Sequence, residues 1–116
     1  MHVEALREYC LQLRKTSESF PFDEETLVFK VLDKMFALIP LERHPAQINL
    51  KCDPEHSVEL REMYPDQIYP GYHMSKKHWN TVLTEQLPPA LVQNLIQHSY
   101  DLVVAKLPKY RREELK

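Results

Sequence analysis

A chain of 116 residues with a single glycine cannot build the glycine-rich loop that cradles phosphates in nucleotide-binding folds. That glycine, Gly71, is suited to a positive φ or to the close approach of another chain segment. Pro70-Gly71 therefore predicts a turn opening a strand. Cysteine is almost as scarce. Cys10 and Cys52 stand in no metal or redox spacing and lie in apolar-periodic segments, where a thiol acts as a small buried hydrophobe, so a reduced, cytoplasmic setting is expected. No apolar run approaches the ~20 residues of a membrane span. Glu4, Arg7 and Glu8 interrupt any leader-like stretch, so neither a signal peptide nor a membrane partner is expected. A basic excess is missing as well: 15 Lys and Arg against 17 Asp and Glu give a net charge of −2. That balance excludes a protein that grips nucleic acid with its whole surface, because such binding is driven by phosphate neutralisation.

What is present is unevenly distributed. Glu18, Asp23, Glu24 and Glu25 cluster early and Glu55, Glu59 and Glu62 mid-chain, whereas Lys76, Lys77, Lys106, Lys109, Arg111 and Arg112 come late, so a locally positive surface is allowed. The length suits one domain, residues 1–116, with one core and a charged, mobile tail over 109–116.

Val3, Leu6, Cys10 and Leu13 fall at helical spacing and predict a first helix, ended at Thr16–Ser19. Phe20-Pro21-Phe22 begins an acidic connection whose two rings are expected to anchor in the core. The β-rich runs Leu27–Val31 and Met35–Ile39 predict a hairpin turning at Leu32-Asp33 or Asp33-Lys34. In either case simple alternation places Leu27, Phe29, Val31, Phe36 and Leu38 on the core face. Val28, Lys30, Met35, Ala37 and Ile39 fall on the other.

Gln47–Cys52 alternates strictly, with Ile48, Leu50 and Cys52 inward and Gln47, Asn49 and Lys51 outward. Asp53-Pro54 caps and starts a short second helix with Val58, Leu60 and Met63 as its apolar stripe, stopped by Tyr64-Pro65. Two further strands are expected over Gln67–Tyr72 and His78–Leu83, with the core-facing set of the second left open by parity. Pro88-Pro89 open a last helix with a wide stripe from Leu91 to Leu107. The predicted class is α+β: a two-layer sandwich of a five-stranded antiparallel sheet with helices on one face, ordered α-β-β-β-α-β-β-α.

Aromatic and cationic residues interleave most densely from Tyr72 to Trp79, where Lys76 and Lys77 can meet phosphates while a ring stacks on a base. The competing structural role is a lysine-protected edge with Trp79 in the core. The candidate nucleic-acid surface comprises Lys30, Asn49 and Lys51 on the open sheet face with Tyr72, His73, Lys76, Lys77, His78 and Asn80. DNA is the expected partner. A protein partner or second copy docking on Val28, Met35 and Ile39 is the alternative.

Catalysis is not expected. Cys52-Asp53 has no neighbouring base, and His98, Ser99 and Asp101 on one helix point about 100° apart per residue and cannot form a triad. His73 and His78, five apart on a strand, diverge, so neither a metal nor another cofactor is expected.

Several stretches together resemble the MmcQ/YjbR family of small bacterial proteins: Phe20-Pro21-Phe22, Lys34-Met35-Phe36-Ala37, Asn49 to Pro54, Pro70 to Met74 with Lys76, His78 to Val82, and His98 to Val103. The resemblance implies a frataxin-like (CyaY-like) fold and a DNA-binding role through a "double wing" of sheet hairpins. Leu32-Asp33 departs from the family pattern, in which a glycine pair forms the hairpin tip.

Overall fold

The computed structural model describes residues 1–71 and 74–116. In chain order the elements are α1 (Val3–Gln12), β1 (Thr16–Ser19), β2 (Thr26–Val31), β3 (Lys34–Pro40), β4 (Gln47–Lys51), α2 (Pro54–Met63), β5 (Ile68–Pro70), β6 (Trp79–Leu83), α3 (Pro89–Ala105) and α4 (Lys109–Arg112), with short 3-10 turns after β6 and α4. Among the described residues the sheet has six strands, all antiparallel, in the order β1-β2-β3-β4-β6-β5. The fold class is thus α+β with one antiparallel sheet, carrying one strand more than the sequence predicts. The addition is β1, four polar residues without apolar alternation, which pair with β2 at the sheet edge.

Helices cover one face. Leu6 and Cys10 of α1, Leu60 of α2 and Val92, Leu95, Ile96 and Val103 of α3 share a core with Phe29, Phe36, Ile48 and Val82 of the sheet. Burial pushes the Cys10 thiol up to about 12, so it stays protonated as the hydrophobe that the sequence suggests. Asp53 caps α2 as expected, its Oδ1 accepting from the Glu55 N–H at 2.9 Å. Ser57 and Leu60 are the buried residues of that helix, and the expected stripe members Val58 and Met63 are exposed. Phe20 and Phe22 are also exposed and do not anchor the core.

The hairpin turns at Leu32-Asp33, both with positive φ, at 45° and 73°. This handedness suits the twist of a hairpin but strains residues that have a Cβ. The chain's end braces it: the Arg111 guanidinium donates to the Leu32 carbonyl at 3.2 Å and lies 3.6 Å from the Asp33 carboxylate. Residues 109–116 hold the short helix α4 and a 3-10 turn. Gly71 does not have a positive φ; a Cβ there would lie 3.2 Å from that of Trp79. Close approach is its purpose.

A β-bulge decides which side chains face where. The β2–β3 register shifts between Phe29 and Lys30, so Phe29 pairs with Ala37 and Lys30 with Met35, leaving Phe36 as the extra residue. Phe36 and Ala37 both turn toward the helices, which inverts the expected parity beyond that point. Leu38 joins Val28 on the open face, and Ala37 and Ile39 join the core.

The bulge also parts two backbone groups that a regular ladder pairs, and Ser99 of α3 takes both. Its hydroxyl donates to the Phe36 carbonyl at 2.6 Å and accepts from the Lys51 N–H at 2.9 Å. The flanking residues of α3 bind backbone too: His98 Nε2 accepts from the Asp53 N–H at 3.2 Å, and the Tyr100 hydroxyl donates to the Arg14 carbonyl at 2.7 Å. This run is a set of backbone clasps.

Two predictions follow from these clasps. Ser99→Ala leaves a buried donor and acceptor unmet, each costing about 1–3 kcal/mol, so the urea midpoint should fall by the equivalent of about 2–4 kcal/mol without loss of the fold. An unchanged midpoint contradicts the bridging role. His98 has its pKa held below the ordinary 6.5, first by burial and then by the neighbouring His56. The unfolded chain therefore binds the proton more readily, and stability present above that ordinary value is lost as the pH falls through it toward the lower folded value. Thermal melts between pH 7.5 and 5 should show this loss, and His98→Gln, whose Oε1 can still accept from the Asp53 N–H, should reduce it.

Candidate functional site

The sheet face opposite the helices carries a second, smaller apolar cluster. Val28, Leu38 and Trp79 form its floor, and Met35 and Met74 pack against it. Beside the floor, the Thr81 hydroxyl donates to Asn49 Oδ1 at 2.6 Å across the β4–β6 pair. A groove of about 510 Å³ runs over these residues, with Phe22, Asp23, Arg43, Met74 and Ser75 also in its lining. Phe22, 65 % exposed, is thus a wall of the groove.

The Trp79 strand resolves the parity that the sequence leaves open. Trp79 and Thr81 face the groove, while Val82 enters the main core and Asn80 turns to the helical layer. Asn80 is only 2 % exposed. Its amide donates to Ser57 Oγ at 3.1 Å, and its Oδ1 accepts from Arg61 Nε at 2.8 Å. It therefore leaves the candidate surface: α2 supplies its partners, and they pull it inward. Val28 and Ile39 leave the alternative docking surface for a related reason, both being fully buried on opposite faces of the sheet.

The remaining candidates divide clearly. Lys30, Asn49 and Lys51 lie on the open face, half-buried, as expected. Lys76 and Lys77 are exposed in the turn before β6, and His78 is half-buried, its carbonyl accepting from the Cys52 N–H at 2.8 Å. Tyr72 and His73 lie outside the described residues. Arg61, which no local sequence pattern marks, fixes this turn by donating to the Lys76 carbonyl at 2.6 Å.

Strand direction concentrates charge. Because neighbours run antiparallel, the C-terminal ends of β2, β4 and β5 meet the N-terminal ends of β3 and β6 at one end of the sheet. That end bears Lys30, Lys34, Lys51, Lys76 and Lys77, and Lys106 reaches it from the end of α3. At the opposite end the connections carry Asp23, Glu24, Glu25, Glu42 and Glu85, with Arg43 among them. Among the described residues, none of the six lysines has a carboxylate within 4.0 Å.

Lys34 and Lys106 join the candidate residues here, brought in by the fold and not by any local pattern. With Lys51 they line a cavity of about 390 Å³, which shares Met35 and Trp79 with the groove. Burial and then the charge of Lys106 lower the Lys51 pKa, a sign that like charges are held close without an acid between them. Among the described residues, no three His, Cys, Asp or Glu side chains cluster as metal ligands, and no helix is long and apolar enough to cross a membrane.

Comparison with known proteins locates this architecture. The YjbR family model matches residues 11–102. The YbdF protein of Escherichia coli is 41 % identical over 107 residues, spanning 91 % of this chain and 87 % of that one. YjbR of Escherichia coli is 33 % identical over 117 residues, spanning 99 % and 98 %. A Deinococcus radiodurans crystal structure with a DUF419 domain superposes with a TM-score of 0.90 at 47 % identity, over 97 % of this chain and 86 % of that one. A Pseudomonas syringae protein gives a TM-score of 0.73 at 30 % identity, over 89 % and 99 %. By a family match over most of its length and by relatives aligned almost end to end, the chain belongs to the YjbR family.

Proposed function

We propose that this protein is a non-enzymatic, cytoplasmic DNA-binding module that holds the duplex at the lysine-bearing end of its sheet. The observation carrying this reading is the gathering of six lysines at one end of a chain whose net charge is −2, with acidic connections at the other. Overall charge then orients the molecule on a phosphate backbone without preventing contact. The β2–β3 hairpin tip with Lys30 and Lys34, and the segment before β6 with Lys76 and Lys77, serve as the two wings on a frataxin-like (CyaY-like) frame. Arg61 and Arg111 brace their backbones from α2 and α4. Phosphate contact of this kind positions a protein without reading bases, so weak sequence preference is part of the proposal. The alternative, a protein partner or second copy docking on the open face, loses Val28 and Ile39 as contacts to burial and keeps Met35, with Leu38 and Phe22 beside it in the groove.

The test is fluorescence anisotropy with a labelled duplex. At low salt binding should be measurable, and log K should fall against log salt with a slope of about −4 to −5, as four to six neutralised phosphates require. Lys76→Glu with Lys77→Glu should weaken binding at least about tenfold, whereas Arg43→Glu at the acidic end should change it less than about twofold. No binding at low salt, or equal loss in both variants, overturns the reading.

A further inference from the structure

The groove and the smaller cavity share Met35 and Trp79, so the apolar part of the groove, with Leu38 and Met74, adjoins the lysine-lined cavity, while Asp23, Thr26, Arg43 and Gln47 line the rest of the groove. From this continuity we infer that the two form one binding site for a small amphipathic anion, its apolar body on Leu38, Met35, Met74 and Trp79 and its anionic head held by Lys34, Lys51 and Lys106. The occupant is a free small molecule bearing one carboxylate, phosphate or sulfonate group.

Three features select that chemistry. Pockets for small ligands are typically ~300–1,000 Å³, mostly apolar with a few convergent polar groups, and the 510 Å³ groove falls in that range. Bringing three cations around one cavity without an acid costs free energy through mutual repulsion, and an anion at their centre removes that cost. Finally, the floor offers a phosphodiester nothing: Leu38 and Trp79 are apolar, largely buried and flanked by flexible methionines, which adapt to irregular apolar shapes. Phe22 and Met74 both line the groove and give it relief above the sheet, which favours a discrete molecule over a flat lipid surface.

The site shares lysines with the DNA reading but stands independently of it. Its probe is 8-anilinonaphthalene-1-sulfonate, an aromatic body with one anionic group, set against the uncharged N-phenyl-1-naphthylamine. Trp79, the sole tryptophan, lies between groove and cavity and reports occupancy by energy transfer. The anionic probe should saturate at one per chain and quench Trp79, with affinity that falls as salt rises. The triple variant Lys34→Gln, Lys51→Gln, Lys106→Gln should weaken it at least about tenfold yet leave the neutral probe within about twofold. Leu38→Arg should weaken the neutral probe. Lys76→Glu with Lys77→Glu should leave both unchanged, which separates this site from DNA binding. Circular dichroism verifies that each variant folds, and the salt series on the native chain provides a result independent of any variant. Unsaturable binding, salt-independent affinity for the anionic probe, or equal affinity in the triple variant overturns the inference.

Discussion

The whole surface geometry depends on one hydroxyl. At the bulge in β3 the Phe36 carbonyl and the Lys51 N–H no longer meet, and Ser99, fully buried on α3, bridges them. Unpaired backbone groups at such a depth are costly, so the bulge is tolerable only because the helix provides the bridge. In return the bulge sends Leu38 to the open face and gives the groove its apolar floor. It also ties Lys51 directly to the helix whose end carries Lys106, so two cations of one cavity are positioned by the same clasp.

The electrostatics follow from topology more than from composition. Antiparallel pairing gathers alternate loops at the same end of a sheet, and lysines scattered from position 30 to position 106 thereby become neighbours. The acids on the other set of loops are kept at a distance, while Asp33, which shares the lysine end, is paired with Arg111 and Asp53 there caps α2. A strand's length of separation exceeds the Debye length of about 8 Å at physiological salt, so the two ends act as distinct surfaces.

Much of the frame was legible in the sequence because its signals are local. The strict alternation of Gln47–Cys52, the Asp53-Pro54 cap and the stripe of α3 each map onto the element expected. What escaped was long-range. No residue in β3 marks Phe36 as a bulge, and Ser99, whose hydroxyl bridges the parted backbone groups, lies 63 residues away. Asn80 turned inward because Ser57 and Arg61 on α2 satisfy its amide, a match that strand parity cannot reveal. β1 has no apolar pattern, and its Glu18 faces the helical layer in a pair with Arg7 of α1. Lys106 counts in the sequence only among the late cations, and it is the fold that sets it beside Lys51. Phe22 walls a groove although a ring beside a proline more often anchors in a core, and no local pattern separates the two roles.

The most direct test of the central claim, that the lysine-bearing end is the surface that meets DNA, is a backbone amide NMR titration with a short duplex at low salt. The account predicts that shifts concentrate at Lys30–Lys34, Lys51 and Lys76–Trp79 while Asp23–Thr26, Arg43 and Glu85 stay still. Shifts centred on the acidic end or spread over the helical layer would contradict it.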